Sequence, residues 1–387
     1  MDATRIPPTD DGTPTGGDGP AMARRPRVMV LFGGRSGEHA ISCATAGGVL
    51  RAIDRSRYDV VAVGITRTGQ WVLADDDPDH WAIRGGRLPE VEDTSTHVLL
   101  PQGTADRDVQ VLRDGRLEPP LEAVDVVFPL LHGPFGEDGT LQGLLELADV
   151  RYVGSGVLAS AVGMDKHMMK LVLAGSGLRI GPFRVLPAGR TVDAQTVDTL
   201  VAELGLPLFV KPARAGSSLG ITRVQDPAEL PAAIAAAREH DPKVIVEAAL
   251  VGREIECGVL EAEDGGTPDV SFPAEVHVAD GFDFYDFEAK YLSTSGLTIP
   301  AEIPEEAIAR LRAMAADVFE AMGCEGLARV DFFYTENGEI LVNELNTMPG
   351  FTPSSAFPQM WAATGVDYVE LIERMITTAL RRDPGLR

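Results

Sequence analysis

The sequence predicts an α/β protein, and three observations carry that prediction. From Arg27 onward, short apolar runs alternate with amphipathic stretches at helical spacing. Twice an apolar run ends in a glycine-rich loop that leads straight into a helical pattern, the strand–loop–helix unit where ligand-binding residues collect. Near the C-terminus two further runs are joined by Asn337-Gly338, a dipeptide that closes tight hairpins. The 387 residues exceed the roughly 250–300 at which a single core stops growing, so two or three domains are expected.

The elements follow in order. Residues 1–25 are expected to form a disordered tail, because 1–20 are rich in Gly, Pro, Asp and Thr and hold almost nothing to bury. Met22 is an alternative start. Arg24-Arg25 precedes no signal-type apolar core, which speaks against export. Val28–Phe32 reads as a strand entering Gly33-Gly34-Arg35-Ser36-Gly37-Glu38 and a helix. Leu73–Gln110 is polar, acidic and irregular, and is expected to be surface structure. Val124–Leu131 is a second strand, entering the loop His132–Gly139 and a helix over Thr140–Ala148. Asp165 can cap a helix that begins near Lys166. Leu208–Val210 and Ile221–Val224 are β-like runs flanking a glycine-rich loop, and Val244–Glu247 and Ile255–Leu260 are two more. Residues 304–323 carry the clearest helical spacing, with Pro304 early and Gly323 at the end.

Composition excludes several functions. With 58 acidic against 34 basic residues the formal charge is −24, which leaves no global footprint for nucleic acid or an anionic membrane. No apolar run approaches the roughly 18–20 residues of a membrane span. Cys43, Cys257 and Cys324 are too scattered for a disulfide framework or a metal cluster, so a reducing, cytoplasmic compartment is expected.

The segment Leu327–Asn346 is the most informative. If Asn337-Gly338 is a two-residue turn between Leu327–Tyr334 and Glu339–Leu345, Asp331 lies opposite Glu344 and Arg329 opposite Asn346, all on one face. Two facing carboxylates repel, and a divalent cation removes the conflict. Asp, Glu and Asn are oxygen ligands of the kind Mg²⁺ takes, often completed by phosphate. A solvated polar strand face fits the same pattern. A second segment runs from Lys211 to Gly220 through Gly216-Ser217-Ser218. Small residues let backbone N–H groups approach phosphate oxygens, and Lys211 adds a point charge. It is not the G-x-x-x-x-G-K-[ST] loop, since the lysine comes first and a strand follows. A plain turn is an equal alternative there.

Taken in order, these segments resemble the D-alanine–D-alanine ligases of the ATP-grasp superfamily. The resemblance runs through Gly33-Gly34-x-Ser36-x-Glu38, His132-Gly133-x-x-Gly136-Glu137-Asp138-Gly139-Thr140-Leu141-Gln142-Gly143 and Tyr152-x-Gly154-Ser155-Gly156. It continues through Met164-Asp165-Lys166, Lys211-Pro212 and Phe284–Tyr291. It ends with Arg329-x-Asp331 and Asn343-Glu344-x-Asn346-Thr347-x-Pro349-Gly350. It implies a three-domain architecture: an N-terminal Rossmann-like substrate domain over 26–154, a central domain with a phosphate lid over 155–250, and a C-terminal domain over 251–387.

The resemblance also implies roles. Lys166, Lys211 and Lys290 hold ATP phosphates, and Gly216 and Ser218 belong to a lid over residues 213–220. Glu247, Leu250 and Glu254 bind the nucleotide, with Ala248 and Ala249 leaving adenine contacts there to backbone groups. Asp331, Glu344 and Asn346 hold two Mg²⁺ ions, with Mn²⁺ as an alternative. Glu38 binds the ammonium of the first D-alanine, and Ser217 and Tyr291 link lid and loop over the site. His132 lies near the first substrate's carboxylate, Arg329 stabilises the tetrahedral oxyanion, and Ser355 binds the second carboxylate. The implied reaction activates one D-alanine as an acyl phosphate, which a second D-alanine's amine attacks. Ligases making D-alanyl-D-lactate or D-alanyl-D-serine are the nearest alternatives, and a catalytically silent nucleotide-binding regulator is one from another class. A homodimer is a further expectation.

Overall fold

The computed structural model describes residues 24–83, 85–101, 103, 108–216, 218–277 and 296–382. Ser217, Lys290, Tyr291 and nearly all of the N-terminal tail lie outside the described residues. Three sheets organise what is described, of eight, four and six strands.

The first sheet is centred on Arg27–Gly33, which pairs in parallel with Asp59–Ile65 on one side and Val126–Pro129 on the other. Val28, Val30 and Phe32 point into one cluster, Met29 and Leu31 into another. The near-continuous apolar run is the signature of a strand covered on both faces. The segment expected to be surface structure is partly interior, which corrects that reading. Trp71–Leu73 and Thr96–Leu99 are strands of this sheet. Trp81 and Val91 are buried, Trp81 meeting Phe32 edge-on with ring centroids 4.6 Å apart. Val91 stands singly among polar residues and Trp81 opens a run of only three, Trp81-Ala82-Ile83, so no long apolar run betrays their burial in the sequence.

The second sheet contains Phe183–Leu186, Leu208–Pro212, Thr222–Val224 and Val244–Ala248, all antiparallel. The third is built on Arg253–Leu260, Leu327–Tyr334 and Ile340–Asn346. Helix Glu305–Ala321 packs on the third sheet, with Ala307, Leu311, Ala315, Val318 and Phe319 buried at helical spacing. Helix Lys166–Gly175 starts where expected, with Asp165 accepting from the backbone N–H groups of His167 and Met168. The C-terminal helices Ala356–Thr364 and Tyr368–Arg381 share a core with the first sheet.

The hairpin of the third sheet departs from the expected two-residue turn. Tyr334 pairs with Ile340, and Thr335 N–H donates to Glu339 O at 3.0 Å, so the loop is Glu336-Asn337-Gly338, with Gly338 at φ +80°. That shifts the pairing by one residue. An irregularity at Asp331/Phe332 then shifts it back, because Phe332 faces Val342 while Asp331 faces Glu344. Asn343 is the extra residue of this β-bulge. The bulge lets Ile340 and Val342 face the core together with Leu345, whereas an unbroken ladder would have placed Asn343 there.

Candidate active site

The second and third sheets face each other across a cavity of about 290 Å³. Its third-sheet wall is a row of three carboxylates. Asp331 is register-paired with Glu256 on one neighbouring strand and with Glu344 on the other, and all three line the cavity. Like charges directly opposite repel, so the row requires cations. Arg329, two residues from Asp331 and hence on the same face, donates from Nε and Nη2 to the two Asp331 oxygens at 2.7 Å each. Its Nε also lies 3.4 Å from Glu256 Oε1. Burial works to lower the guanidinium pKa, but Asp331 and Glu256 hold it well above its ordinary value. Asn346 Nδ2 donates to Asp331 Oδ2 at 3.2 Å.

The opposite wall carries the lysines. Lys211 is the penultimate residue of the strand Leu208–Pro212, one diagonal step from Glu247 on the adjacent strand. Its Nζ is 2.6 Å from Glu247 Oε2, and Lys170 Nζ is 3.0 Å from Oε1. Burial alone would raise the Glu247 carboxyl, but the two ammoniums outweigh it and hold it at about 2. Burial likewise pulls Lys211 down, and Glu247 more than restores it. Lys166, one turn from Lys170 on its helix, donates to Ala215 O at 2.9 Å and lies 3.4 Å from Glu344 Oε2. The loop after Pro212 is pinned where Arg214 donates to both Asp241 oxygens, at 2.9 and 2.7 Å.

The structure thus brings Lys166, Lys211, Gly216, Ser218, Glu247, Leu250, Glu254, Asp331, Glu344 and Asn346 to one cavity. Leu250 packs so closely on Gly181 that a Cβ there would sit 2.9 Å from its Cδ1, and both line the cavity with Pro182 and Phe209. Glu38, at the end of the loop that follows Arg27–Gly33, adjoins the loop holding Gly216. Its Oε2 lies 3.2 Å from where a Cβ on Gly216 would stand, and 2.9 Å from one on Gly133 at φ +73°. His132 is buried with its Nδ1 3.1 Å from Met348 O, and burial pushes its pKa down. It lines a second, smaller cavity. Ser355 lines neither cavity; its Oγ accepts from Thr352 N–H at 3.1 Å at the start of helix Ala356–Thr364.

Sequence reasoning assigned no role to Lys170, Glu137, Glu256 or Asn343, all of which line the main cavity. Lys170 was legible as the i+4 neighbour of Lys166, and Glu256 as the i+2 neighbour of Glu254 on a strand. Glu137 accepts backbone N–H bonds from Gly133 and Met348. Burial, with the Glu38 carboxylate behind it, pushes the Glu137 carboxyl up to about 8.

Residues 27–155 match the D-ala D-ala ligase N-terminus family, and residues 172–377 match the D-ala D-ala ligase C-terminus family. The chain belongs to the D-alanine–D-alanine ligase family. Relatives named D-alanine–D-alanine ligase include one from Kineococcus radiotolerans, 61% identical over 94% of this chain and 99% of the relative. Another, from Streptomyces coelicolor, is 54% identical over 94% and 95%. Among solved structures, the VanG D-Ala:D-Ser ligase of Enterococcus faecalis superposes with a TM-score of 0.78 at 35% identity, covering 92% of this chain and all of that one. The D-alanine–D-alanine ligase of Coxiella burnetii gives 0.78 at 32%, over 93% and 95%. The family is one of ATP-dependent ligases, and its membership agrees with a cavity that sets lysines against carboxylates.

Proposed function

We propose that this chain joins two D-alanine molecules to D-alanyl-D-alanine at the expense of ATP, through a D-alanyl phosphate, to supply peptidoglycan precursor in the cytoplasm. The observation that carries the reading is the single cavity in which Lys166 and Lys211 face the row Glu256, Asp331 and Glu344.

The residues suit the chemistry. A carboxylate is a poor acyl donor because oxide is its leaving group, and phosphorylation replaces oxide by phosphate. Lys166 and Lys211 receive the ATP phosphates as point charges, and Lys290 is assigned the same task. Glu247, Leu250 and Glu254 line the same cavity, and we assign them to the nucleotide. Arg329 spends two N–H groups on Asp331 and keeps others for the oxyanion formed when the second amine attacks. Glu38 holds the first ammonium, while Ser217 and Tyr291 close the lid against water, which competes with the amine. Ser355 receives the second carboxylate. We assign residues 26–154 to the first substrate, 155–250 to the central domain and 251–387 to the C-terminal domain.

Mg²⁺ fits the donor set. Asp331, Glu344 and Asn346 offer hard oxygens on one wall, while no cluster of three or more His, Cys, Asp or Glu converges into a metal site among the described residues. Few protein ligands, completed by phosphate oxygens and water, are what Mg²⁺ accepts. Two ions held there would neutralise charge on the transferring phosphoryl group, and Mn²⁺ suits the same donors. Glu344→Gln is expected to abolish Mg²⁺-dependent turnover with an unchanged circular dichroism spectrum; near-normal turnover contradicts the metal assignment.

We assign a homodimer to this chain, with two exposed leucines as the residues that test it. Leu147 is 80% and Leu158 67% exposed on the neighbouring helices Thr140–Leu147 and Val157–Met164. Sedimentation of Leu147→Glu/Leu158→Glu tests it, with monomer expected.

The likeness to a D-Ala:D-Ser ligase gives a second reading, in which D-serine is the second substrate. Product analysis with D-alanine, D-serine and D-lactate in competition separates them. D-Alanyl-D-alanine is expected to dominate; a mostly D-alanyl-D-serine or depsipeptide product refutes the first reading.

A further inference from the structure

The loop after strand Val126–Pro129 carries a ring of hydrogen bonds that no role above uses. Gly133 N–H donates to Glu137 Oε2 at 2.6 Å. Met348 N–H donates to Glu137 Oε1 at 3.1 Å. The carbonyl of the same Met348 lies 3.1 Å from His132 Nδ1. His132 and Gly133 are chain neighbours, so the ring closes. It ties the loop to the segment just past Asn346.

We propose that Glu137 is a positioning residue for His132, acting through the backbone of Met348, and that it thereby sets how the first amino-acid substrate is held. The inference rests on the ligase reading of this site.

A carbonyl has no proton to give, so Nδ1 must carry the one in the Nδ1···Met348 bond. The other ring nitrogen, Nε2, is buried and has no hydrogen-bond partner among the described residues. It is the nitrogen left for a ligand. His132 is only 3% exposed, so turning the ring would strand Nδ1–H away from water. The orientation of Nε2 therefore depends on where Met348 O stands, and Glu137 fixes Met348 from its N–H side. Above about pH 8, where the Glu137 carboxyl is ionised, it meets two N–H donors with two acceptors and brings no donor of its own. Glutamine would turn an NH₂ toward one of them. The placement also has reach. His132 lines the smaller cavity, with Gly34 and Ser36, while Glu137 lines the larger one. The loop is the wall the two cavities share.

The test compares wild type, Glu137→Gln and Glu137→Asp above about pH 8, where Glu137 is ionised, by D-alanine-dependent phosphate release and by nitrogen NMR of histidine-labelled protein. Wild-type phosphate release without D-alanine dependence refutes the ligase reading itself, and the inference with it. Given that dependence, Glu137→Gln is expected to lower kcat/KM for D-alanine about tenfold or more, as loss of a charged acceptor implies. The KM for ATP should move by less than about threefold, since the nucleotide-binding lysines are untouched. Glu137→Asp keeps both acceptor oxygens and should fall between the two. The His132 signals, assigned by their loss in His132→Gln, are expected to report Nδ1–H in wild type and to lose that preference in Glu137→Gln. Equal kinetic losses in both variants, matching only the loss of folded protein, mark a merely structural role and overturn the proposal. If Glu137→Gln does not fold, Glu137→Asp decides: a lowered kcat/KM for D-alanine with a weakened Nδ1–H preference at His132 supports the proposal, and wild-type values of both overturn it, as does an Nε2–H tautomer at His132 in wild type.

Discussion

Two buried glutamates in this site titrate in opposite directions. Glu247 sits between Lys170 and Lys211, which hold its carboxyl at about 2 against the opposing effect of burial. Its folded pKa lies below its unfolded one, so its stabilisation is present above about pH 4.5 and lost as pH falls toward 2. Replacing Lys170 by Met removes one of the two ammoniums, so acid unfolding should begin at a higher pH than in wild type. Circular dichroism against pH checks it; superimposable acid limbs contradict the pairing. Glu137 is the reverse case. Burial and Glu38 push it up to about 8, so the native state binds more protons than the unfolded chain between about pH 4.5 and 8. Its contribution is complete below that window and declines as pH rises through it. Glu137→Gln cannot titrate, so the melting temperature of wild type minus that of the variant should fall across the window. A flat difference contradicts the shifted carboxyl.

At the scale of elements, the hairpin Leu327–Asn346 decides how the carboxylate row forms. Asp331 opposite Glu344 was legible in the sequence, yet by a route with two compensating departures. The loop holds one residue more than the expected turn, and the bulge at Asn343 absorbs it. The clue was the phase of the apolar residues, since Ile340 and Val342 fall at even positions and Leu345 at an odd one. A strand that keeps all three in the core must carry an extra residue. The helix caps and the parallel strands were legible because continuous apolar runs and Asp165 signal them locally. The strands around Leu73–Gln110 were not, because Trp81 and Val91 are buried by partners distant in the chain. Nor was the ring through Glu137, whose Met348 contact spans 211 positions. Gly338 at φ +80° yields the element's own prediction. Gly338→Ala should cost about 1–2 kcal/mol by denaturant unfolding, because an L side chain is strained there. It should leave turnover of the folded enzyme unchanged.

For the whole molecule, the ends of the chain are joined through one core. Trp361, 2% exposed, and Leu371, Ile372 and Met375 pack in the cluster that holds Val28, Val30 and Phe32. Trp361→Ala should therefore destabilise the protein by about 3–5 kcal/mol, and near-UV dichroism should report loosening of the first sheet as well as of the C-terminal helices. The overall charge of −24 now has a narrower meaning than composition alone gave it. It speaks against nucleic acid as a partner, yet the proposed substrate is a polyanion; because Glu137, Glu247, Glu254, Glu256, Asp331 and Glu344 line the same cavity as Lys166, Lys170 and Lys211, the proposed binding needs the Mg²⁺ ions as well as the lysines. The measurement that tests the central claim most directly is phosphate release from ATP and Mg²⁺ with and without D-alanine, with the product identified. The account predicts release that depends on D-alanine and yields one D-alanyl-D-alanine per phosphate. ADP formation at the same slow rate in both conditions, with no dipeptide, would contradict it.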